Sequence, residues 1–333
     1  MTEPGALRRF FTWRLRPGDV VRDLAVCATF GTLAGLGARA HWLLDLFTHF
    51  PLHYLLVLAP VSLLLWVMRR RAAAAFCTTC ALYNAFLLAP LFRAPPVAGP
   101  PPDAALRVME INLLRENGHS NEALRVIGEA DADIVVALEL TPAWLERLAP
   151  LRAKYPHVAA EPQEDCFGLA VFSRHPITDT RVLWLGYGFV PTLRMTLDVN
   201  GRAIDLIATH PPPPKDGEYS DVRNEQLRDL AREAATRKHP QLIVGDLNAT
   251  PWTPHFRGLI REGHLHDSGR GAGLGGTWPS FAPSWLRIPI DHVLMSPELR
   301  VVSRRVGRPF GSDHVPLVVE VGFAREAAPA PRL

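Results

Sequence analysis

Apolar residues dominate from Leu24 to Phe92 in three runs, roughly 24–44, 51–68 and 72–92. Each is close to the ~20 residues that cross a bilayer as a helix, so the pattern predicts about three transmembrane helices. Arg39 and His41 interrupt the first run. From residue 104 the pattern changes to short apolar runs separated by turns and amphipathic segments. "ALRVMEINLL", "DIVVALEL", "FGLAVFSRHPI", "QLIVGDLN", "IDHVLMS" and "HVPLVVEVGF" read as strands. "TLRMTLDVNGRAIDLIATH" reads as two strands around Asn200-Gly201, because a tight hairpin turn needs positive φ at both central residues. "SNEALRVIGEADAD", with Ser120 as its N-cap, "EYSDVRNEQLRDLAREAATRKH" and "TPHFRGLIREG" read as helices. Hairpins mixed with helix-linked strands indicate an α/β or α+β sandwich.

Charge divides the chain at the same place. Residues 1–93 hold 10 Lys and Arg against 4 Asp and Glu, while residues 94–333 hold 26 against 29. The acidic balance of the larger part argues against a dedicated nucleic-acid binder, which needs a basic surface. Arg8, Arg9, Arg14, Arg16 and Arg22 precede the first run, and Arg69, Arg70 and Arg71 separate the second from the third. The loop "LDLFTHFPLH" lacks both Lys and Arg. Basic loops stay cytoplasmic, so the third span should exit on the far side and leave the rest of the chain extracytoplasmic. Two spans, or a buried helical hairpin, would instead leave it inside. "RAPPVAGPPPD", 93–103, reads as a stiff Pro-rich spacer. Cys77-Thr-Thr-Cys80 has redox or metal spacing but sits in an apolar run, where it reads as small residues on a helix face. Cys166 is the one cysteine of the polar part, which therefore has no internal disulfide.

Polar residues recur at the ends of the apolar strands. Asn112 follows "RVMEI", Glu139 follows "DIVVAL" and His210 follows "IDLIAT". Asp246 and Asn248 follow "LIVG", Asp291 precedes "HVLMS", and Asp313 and His314 precede "VPLVV". A charge at a strand end is cheap only when solvated, paired or metal-bound. Each residue alone has a plain reading as a turn, a cap or a solvated end. Gathered at one sheet edge they would form a site for metal-assisted phosphoester hydrolysis. The carboxylates are hard donors suited to Mg²⁺ or Mn²⁺. Asp246 could hold the attacking water while Asn248 donates to a phosphate oxygen. Arg194 is a further candidate phosphate contact, and Trp278, Phe281 and Trp285 are candidates for a lipid or membrane surface.

The ordered set "INLL", "LEL", "GLAVFSRHPI", "ATHPPPP", "GDLNATP", "IDHVLMS" and "GSDHVPL" resembles the endonuclease/exonuclease/phosphatase superfamily over roughly 104–322. That resemblance implies a four-layer α/β sandwich, two packed mixed sheets flanked by helices, with the site at one edge. It implies Glu139 as the main metal carboxylate with Asn112 beside it, and Asp313 as metal or site support. Asp246 would orient or deprotonate the water, Asn248 and His314 would contact phosphate, Asp291 would orient His314, and His210 would complete the catalytic set. The expected chain is a membrane region (1–92), a linker (93–103), a catalytic domain (104–322) and a tail (323–333). The expected activity is a membrane-anchored, divalent-metal-dependent phosphatase or phosphodiesterase on an envelope or lipid-linked phosphate. The alternatives are an extracytoplasmic DNase-like nuclease and an inactive membrane adaptor. The exact substrate stays open.

Overall fold

The computed structural model describes residues 17–93 and 106–324. The Pro-rich stretch after Arg93, the arginines before Pro17 and nearly all of the expected tail lie outside the described residues.

The N-terminal region contains α1 (Pro17–Gly35), α2 (Trp42–Leu46), α3 (Pro51–Val67) and α4 (Arg71–Leu88). The first apolar run is not one helix. It breaks over 36–41, where Gly35 and Gly37 weaken helix propagation and the His41 ring accepts a hydrogen bond from the Leu43 N–H to start α2. Among the described residues, one helix (Arg71–Phe92) is long and apolar enough by itself to cross a membrane. The number rises to two if the bent pair Trp42–His49 and Pro51–Val67 is one span. The three expected spans are therefore not all met: α1 carries Asp19, Arg22 and Asp23 in its first turns. Cys77 and Cys80 are free thiols buried on α4, in keeping with their reading as small packing residues.

The rest of the chain forms two sheets. In chain order the elements are β1 (Leu106–Asn112), α5 (Ser120–Ala130), β2 (Ile134–Leu138), α6 (Pro142–Arg147), β3 (His157–Glu161), β4 (Leu169–Ser173), β5 (Ile177–Leu185), β6 (Val190–Val199), β7 (Arg202–Thr209), α7 (Gly217–Ala235), β8 (Gln241–Asp246), α8 (Pro254–Glu262), β9 (His266–Asp267), β10 (Asp291–Met295), β11 (Leu299–Val306) and β12 (Leu317–Phe323). One sheet has the order β11-β12-β1-β2-β4-β3, the other β5-β6-β7-β8-β10-β9. Each sheet has one parallel pair at its centre, β1 with β2 and β7 with β8, and antiparallel neighbours on both sides.

Alternation explains the layers. Val108, Val136, Val171, Leu206, Val244 and Val293 point between the sheets and fill the central core. Met109, Val135 and Phe172 point outward under α5 and α6, and Ile207, Ile243 and Leu294 do so under α7 and α8. The result is the expected arrangement of two packed mixed sheets flanked by helices. The Asn200-Gly201 hairpin forms, with φ of 55° and 82°. Helix α5 starts one residue earlier than read: His119, not Ser120, is its cap, and it makes no side-chain cap hydrogen bond. Strands β3, β5 and β11 were not evident in the pattern, because β5 and β11 are largely exposed and carry mixed polar residues.

The helical region meets the sandwich at the end that carries His53 and Leu87–Leu91. The indole of Trp252 donates to the Leu87 carbonyl (3.0 Å), and the N–H groups of Gly271 and Gly273 bond to the carbonyls of Pro90 and Leu91. His53 Nε2 lies 2.9 Å from the Leu286 carbonyl. The Arg69–Arg71 turn lies at the opposite ends of α3 and α4.

Candidate active site

Topology gathers the strand-end residues. The central parallel pairs run the same way, so Asn112 and Glu139 leave one edge of the first sheet together, and His210 and Asp246 leave one edge of the second. Asp291 opens β10, antiparallel to β8 and directly across from Asp246. His314 precedes β12, antiparallel to β1.

Asp246 is the hub. Its Oδ1 accepts the Asn248 N–H at 2.8 Å. Its Oδ2 lies 3.5 Å from His210 Nε2, 3.6 Å from His314 Nε2 and 3.5 Å from the Asn112 amide nitrogen. The Asn112 amide also donates to Glu139 Oε1 (3.2 Å), and the other Glu139 oxygen accepts the Arg115 N–H (2.9 Å). Glu139 and Asn248 both sit at positive φ, 57° and 47°, which turns each side chain off its strand. The Asn248 amide nitrogen donates to the Pro211 carbonyl at 3.0 Å and lies 3.4 Å from His210 Nε2.

Each histidine has an orienting partner. His210 Nδ1 faces the Cys166 carbonyl at 3.0 Å, which can only accept, so Nδ1 carries hydrogen and Nε2 faces Asp246. Burial disfavours the charged ring, but Asp246 and then Glu139 outweigh it and raise the His210 pKa. His314 Nδ1 donates to Asp291 Oδ2 at 2.9 Å. Burial opposes its charge too, yet Asp291, helped by Asp246 and Asp313, lifts the ring to about 10. Burial works against the Asp291 carboxylate as well, and His314 more than offsets that, holding Asp291 below its ordinary range. At neutral pH the pair is an imidazolium and a carboxylate.

Asp313 stands apart from this hub. One of its oxygens accepts the Trp278 indole N–H at 3.0 Å and the other is buried without a partner, although the residue lines the same cavity. Arg194 is not a phosphate contact here. It lies on β6 facing α7, 3.8 Å from Glu233. Phe281 and Trp285 are exposed, and Trp278 lines the cavity.

A hard cation fits the donor set. Asp246 and Asp291 offer carboxylate oxygens within 4.8 Å of one another, and Glu139 adds carboxylate oxygens beside Asn112, while His314 as an imidazolium is not a ligand. Buried carboxylates in this number call for positive charge.

Two residues of this neighbourhood escape a reading of strand ends. Glu110 lies mid-strand on β1, fully buried, with neither oxygen partnered. Burial, then Asp291 and Asp246, raise its pKa well above the usual carboxyl range, which favours the neutral acid. Its one sequence signal is parity: it sits two residues before Asn112, on the same face. Arg223, fully buried on α7, donates from Nη1 to the Asn248 carbonyl (3.0 Å) and from Nη2 to Asp45 Oδ2 (2.5 Å). It ties the N-terminal region to the site.

Two mixed sheets with acids, an amide and paired histidines gathered at one edge define a sandwich of the phosphoester-hydrolase class. The chain belongs to the endonuclease/exonuclease/phosphatase family, whose model matches residues 109–314. Members of that family are hydrolases acting on phosphoesters. Solved structures share the fold. One is an endonuclease/exonuclease/phosphatase from Beutenbergia cavernae, 24% identical with a TM-score of 0.51, over 67% of this chain and 72% of that one. Another is the human nocturnin catalytic domain with bound sulfate, at 20% and 0.54, over 67% and 94%. A third is D. rerio TDP2 complexed with a single-strand DNA product, at 13% and 0.54, over 66% and 100%. No curated protein matches the chain.

Proposed function

We propose that this chain is a membrane-anchored, divalent-metal-dependent phosphoester hydrolase, with an N-terminal membrane region and an extracytoplasmic catalytic domain that acts on an envelope or lipid-linked phosphate. The observation that carries the reading is one cavity of about 480 Å³, shared by Glu139, His210, Asp246, Asn248 and His314 on one side and by Leu46 and Phe50 of the helical region on the other. The exposed apolar faces of the helices, including Leu24, Phe30, Leu63, Trp66, Leu82 and Phe86, suit contact with lipid. The sandwich docks at the end away from Arg69–Arg71, which fits arginines inside and catalysis outside.

The residues divide the chemistry. Asp246, whose Oδ1 is fixed by the Asn248 N–H, presents Oδ2 to orient a water and take its proton. The His314 imidazolium, held by Asp291, donates through Nε2 to the oxygen charge that grows as the ester bond breaks. The Asn248 amide, 3.4 Å from His210 Nε2 at the cavity wall, is the group offered to a second phosphate oxygen. Glu139, Asn112, Asp246 and Asp291 are the residues that would hold Mg²⁺ or Mn²⁺, which when bound neutralises phosphate charge and acidifies water.

A nuclease reading has one observation behind it, the shared fold with a protein bound to single-strand DNA. Against it, among the described residues Lys215 is the one Lys or Arg lining the cavity, too little for a polyanion. The test is phosphate release by full-length protein from polyprenyl pyrophosphate in detergent with Mg²⁺, beside Asp246→Ala, a phosphodiester and single-stranded DNA. Release abolished in Asp246→Ala supports the reading. Cleavage of DNA alone would replace it with the nuclease, and inertness on all substrates would leave the adaptor.

A further inference from the structure

We infer that the segment Leu46–Phe50 is a working part of the substrate site and holds the hydrocarbon chain of an amphiphilic phosphate ester. The inference deepens the proposed function and rests on it. The segment lies outside residues 109–314, which the family model spans, yet Leu46, His49 and Phe50 line the same cavity as the catalytic groups.

The cavity is two-faced. Its carboxylates, the Asn248 amide, His210 and His314 lie on the sandwich edge, while His49 sits beside Leu46 and Phe50 on the helical side. The remaining wall combines Leu46 and Phe50 with Ile288, Ile290 and Trp278. Leu46 and Phe50 are only half-buried, so each leaves apolar surface uncovered beside the catalytic cluster. A volume of about 480 Å³ is of the size that takes a whole small-molecule ligand and is far more than a phosphate group fills. Lys215, the lone Lys or Arg of the lining among the described residues, suits one headgroup rather than a chain of phosphates.

The wall is also built in place. Immediately before it, Asp45 is buried against Arg223 at 2.5 Å. Just after it, His53 Nε2 meets the Leu286 carbonyl at 2.9 Å, two residues from Ile288. A segment tied on both sides to the catalytic domain is part of the site's shape. It also joins the helices whose apolar faces are exposed, so a chain lying along Leu46 and Phe50 passes from the phosphate site toward that apolar surface.

The test uses full-length protein in detergent with Mg²⁺ and matched two-carbon and twelve-carbon alkyl phosphates, with the corresponding methyl alkyl phosphodiesters. In wild type the long-chain ester is preferred. In the Leu46→Asn/Phe50→Asn double variant that preference in kcat/KM falls by about 10-fold or more, mainly through KM. Micelle partitioning cancels, because both proteins see the same micelles. An unchanged preference, with the short ester cleaved, overturns the inference and leaves the hydrolase standing. No cleavage of any ester by wild type removes the hydrolase reading and the inference with it. A second measurement does not depend on turnover. In Leu46→Cys, thiol labelling at position 46, read by mass spectrometry, is slowed by dodecylphosphonate and not by methylphosphonate. Equal labelling rates with the two phosphonates overturn the inference.

Discussion

Asp45 and Arg223 are separated by 178 positions in the chain, and their charged groups meet at 2.5 Å where both side chains are almost wholly buried. The same guanidinium holds the Asn248 carbonyl at 3.0 Å, so one side chain links the N-terminal region to the loop that carries Asp246 and Asn248. Desolvating two charges is costly, and the pair is tolerable only because each neutralises the other.

Removing one partner should therefore be worse than removing both. Asp45→Ala or Arg223→Met alone leaves a buried charge uncompensated and is expected to cost about 3–5 kcal/mol. The double variant Asp45→Ala/Arg223→Met should recover part of that. Thermal unfolding of the full chain in detergent, run as a double-mutant cycle, measures the coupling. Additive single effects would contradict it. Turnover should drop in Arg223→Met by more than the fraction unfolded explains, because Asn248 loses its anchor.

The Asp291–His314 pair sets a pH window. The His314 pKa is raised to about 10, so its contribution to stability is complete below the ordinary histidine value of about 6.5 and fades as pH rises towards 10. The Asp291 pKa is lowered, so its contribution is present above the ordinary carboxyl value and is lost as pH falls through the depressed one. In metal-free protein, NMR titration should show the His314 ring still protonated at pH 8. Asp291→Asn should bring its midpoint down by several units. A midpoint near 6.5 in the unsubstituted protein would contradict the pairing.

Glu110 has the opposite sign. Its raised pKa keeps it protonated when folded, while the unfolded chain ionises above about pH 4.3, so the group costs stability as pH rises. Glu110→Gln, already neutral, should make the protein more stable at pH 8 than the parent and flatten the alkaline side of its stability curve. Unfolding midpoints at pH 5 and pH 8 for both proteins decide this. A loss of stability at pH 8 would show that the carboxyl proton, or the charge, is needed.

Glu139 should govern the metal. Chelation should abolish hydrolysis and added Mg²⁺ or Mn²⁺ should restore it. Glu139→Gln, which keeps shape but loses charge, should need about 10- to 100-fold more metal for half-maximal rate. Calorimetric titration of metal into the two proteins gives the same comparison without turnover.

Gly245 explains why glycine precedes Asp246. Its φ is +157°, and a Cβ there would collide with the Thr209 carbonyl oxygen on neighbouring β7. Gly245→Ala should force β8 away from β7, cost about 2–4 kcal/mol and misplace Asp246. Thermal unfolding and turnover should fall together, and a neutral substitution would mean the strands part freely.

Much of this protein follows from local pattern. The short apolar runs in "RVMEIN" and "LIATH", the Asn200-Gly201 turn and the polar residues closing each strand are local signals. They name the sandwich and nearly every member of the site, because a buried strand must put its chemistry where it ends. The strands with weak alternation, β5 and β11, stayed hidden for the same reason: an exposed strand has no face that must be apolar. What only tertiary structure decides is convergence. The parallel central pairs bring four strand ends to one edge, and the antiparallel β10 and β12 add Asp291 and His314 from the other direction. Neither Asp45 nor Arg223 stands out in the sequence, since a charge declares itself buried only when its distant partner arrives. Leu46 and Phe50 read as ordinary apolar residues until the fold sets them against Asp246. Spacing along the chain records which residues are neighbours in a helix or strand. Packing of the two sheets and the helical region decides which of them share one cavity.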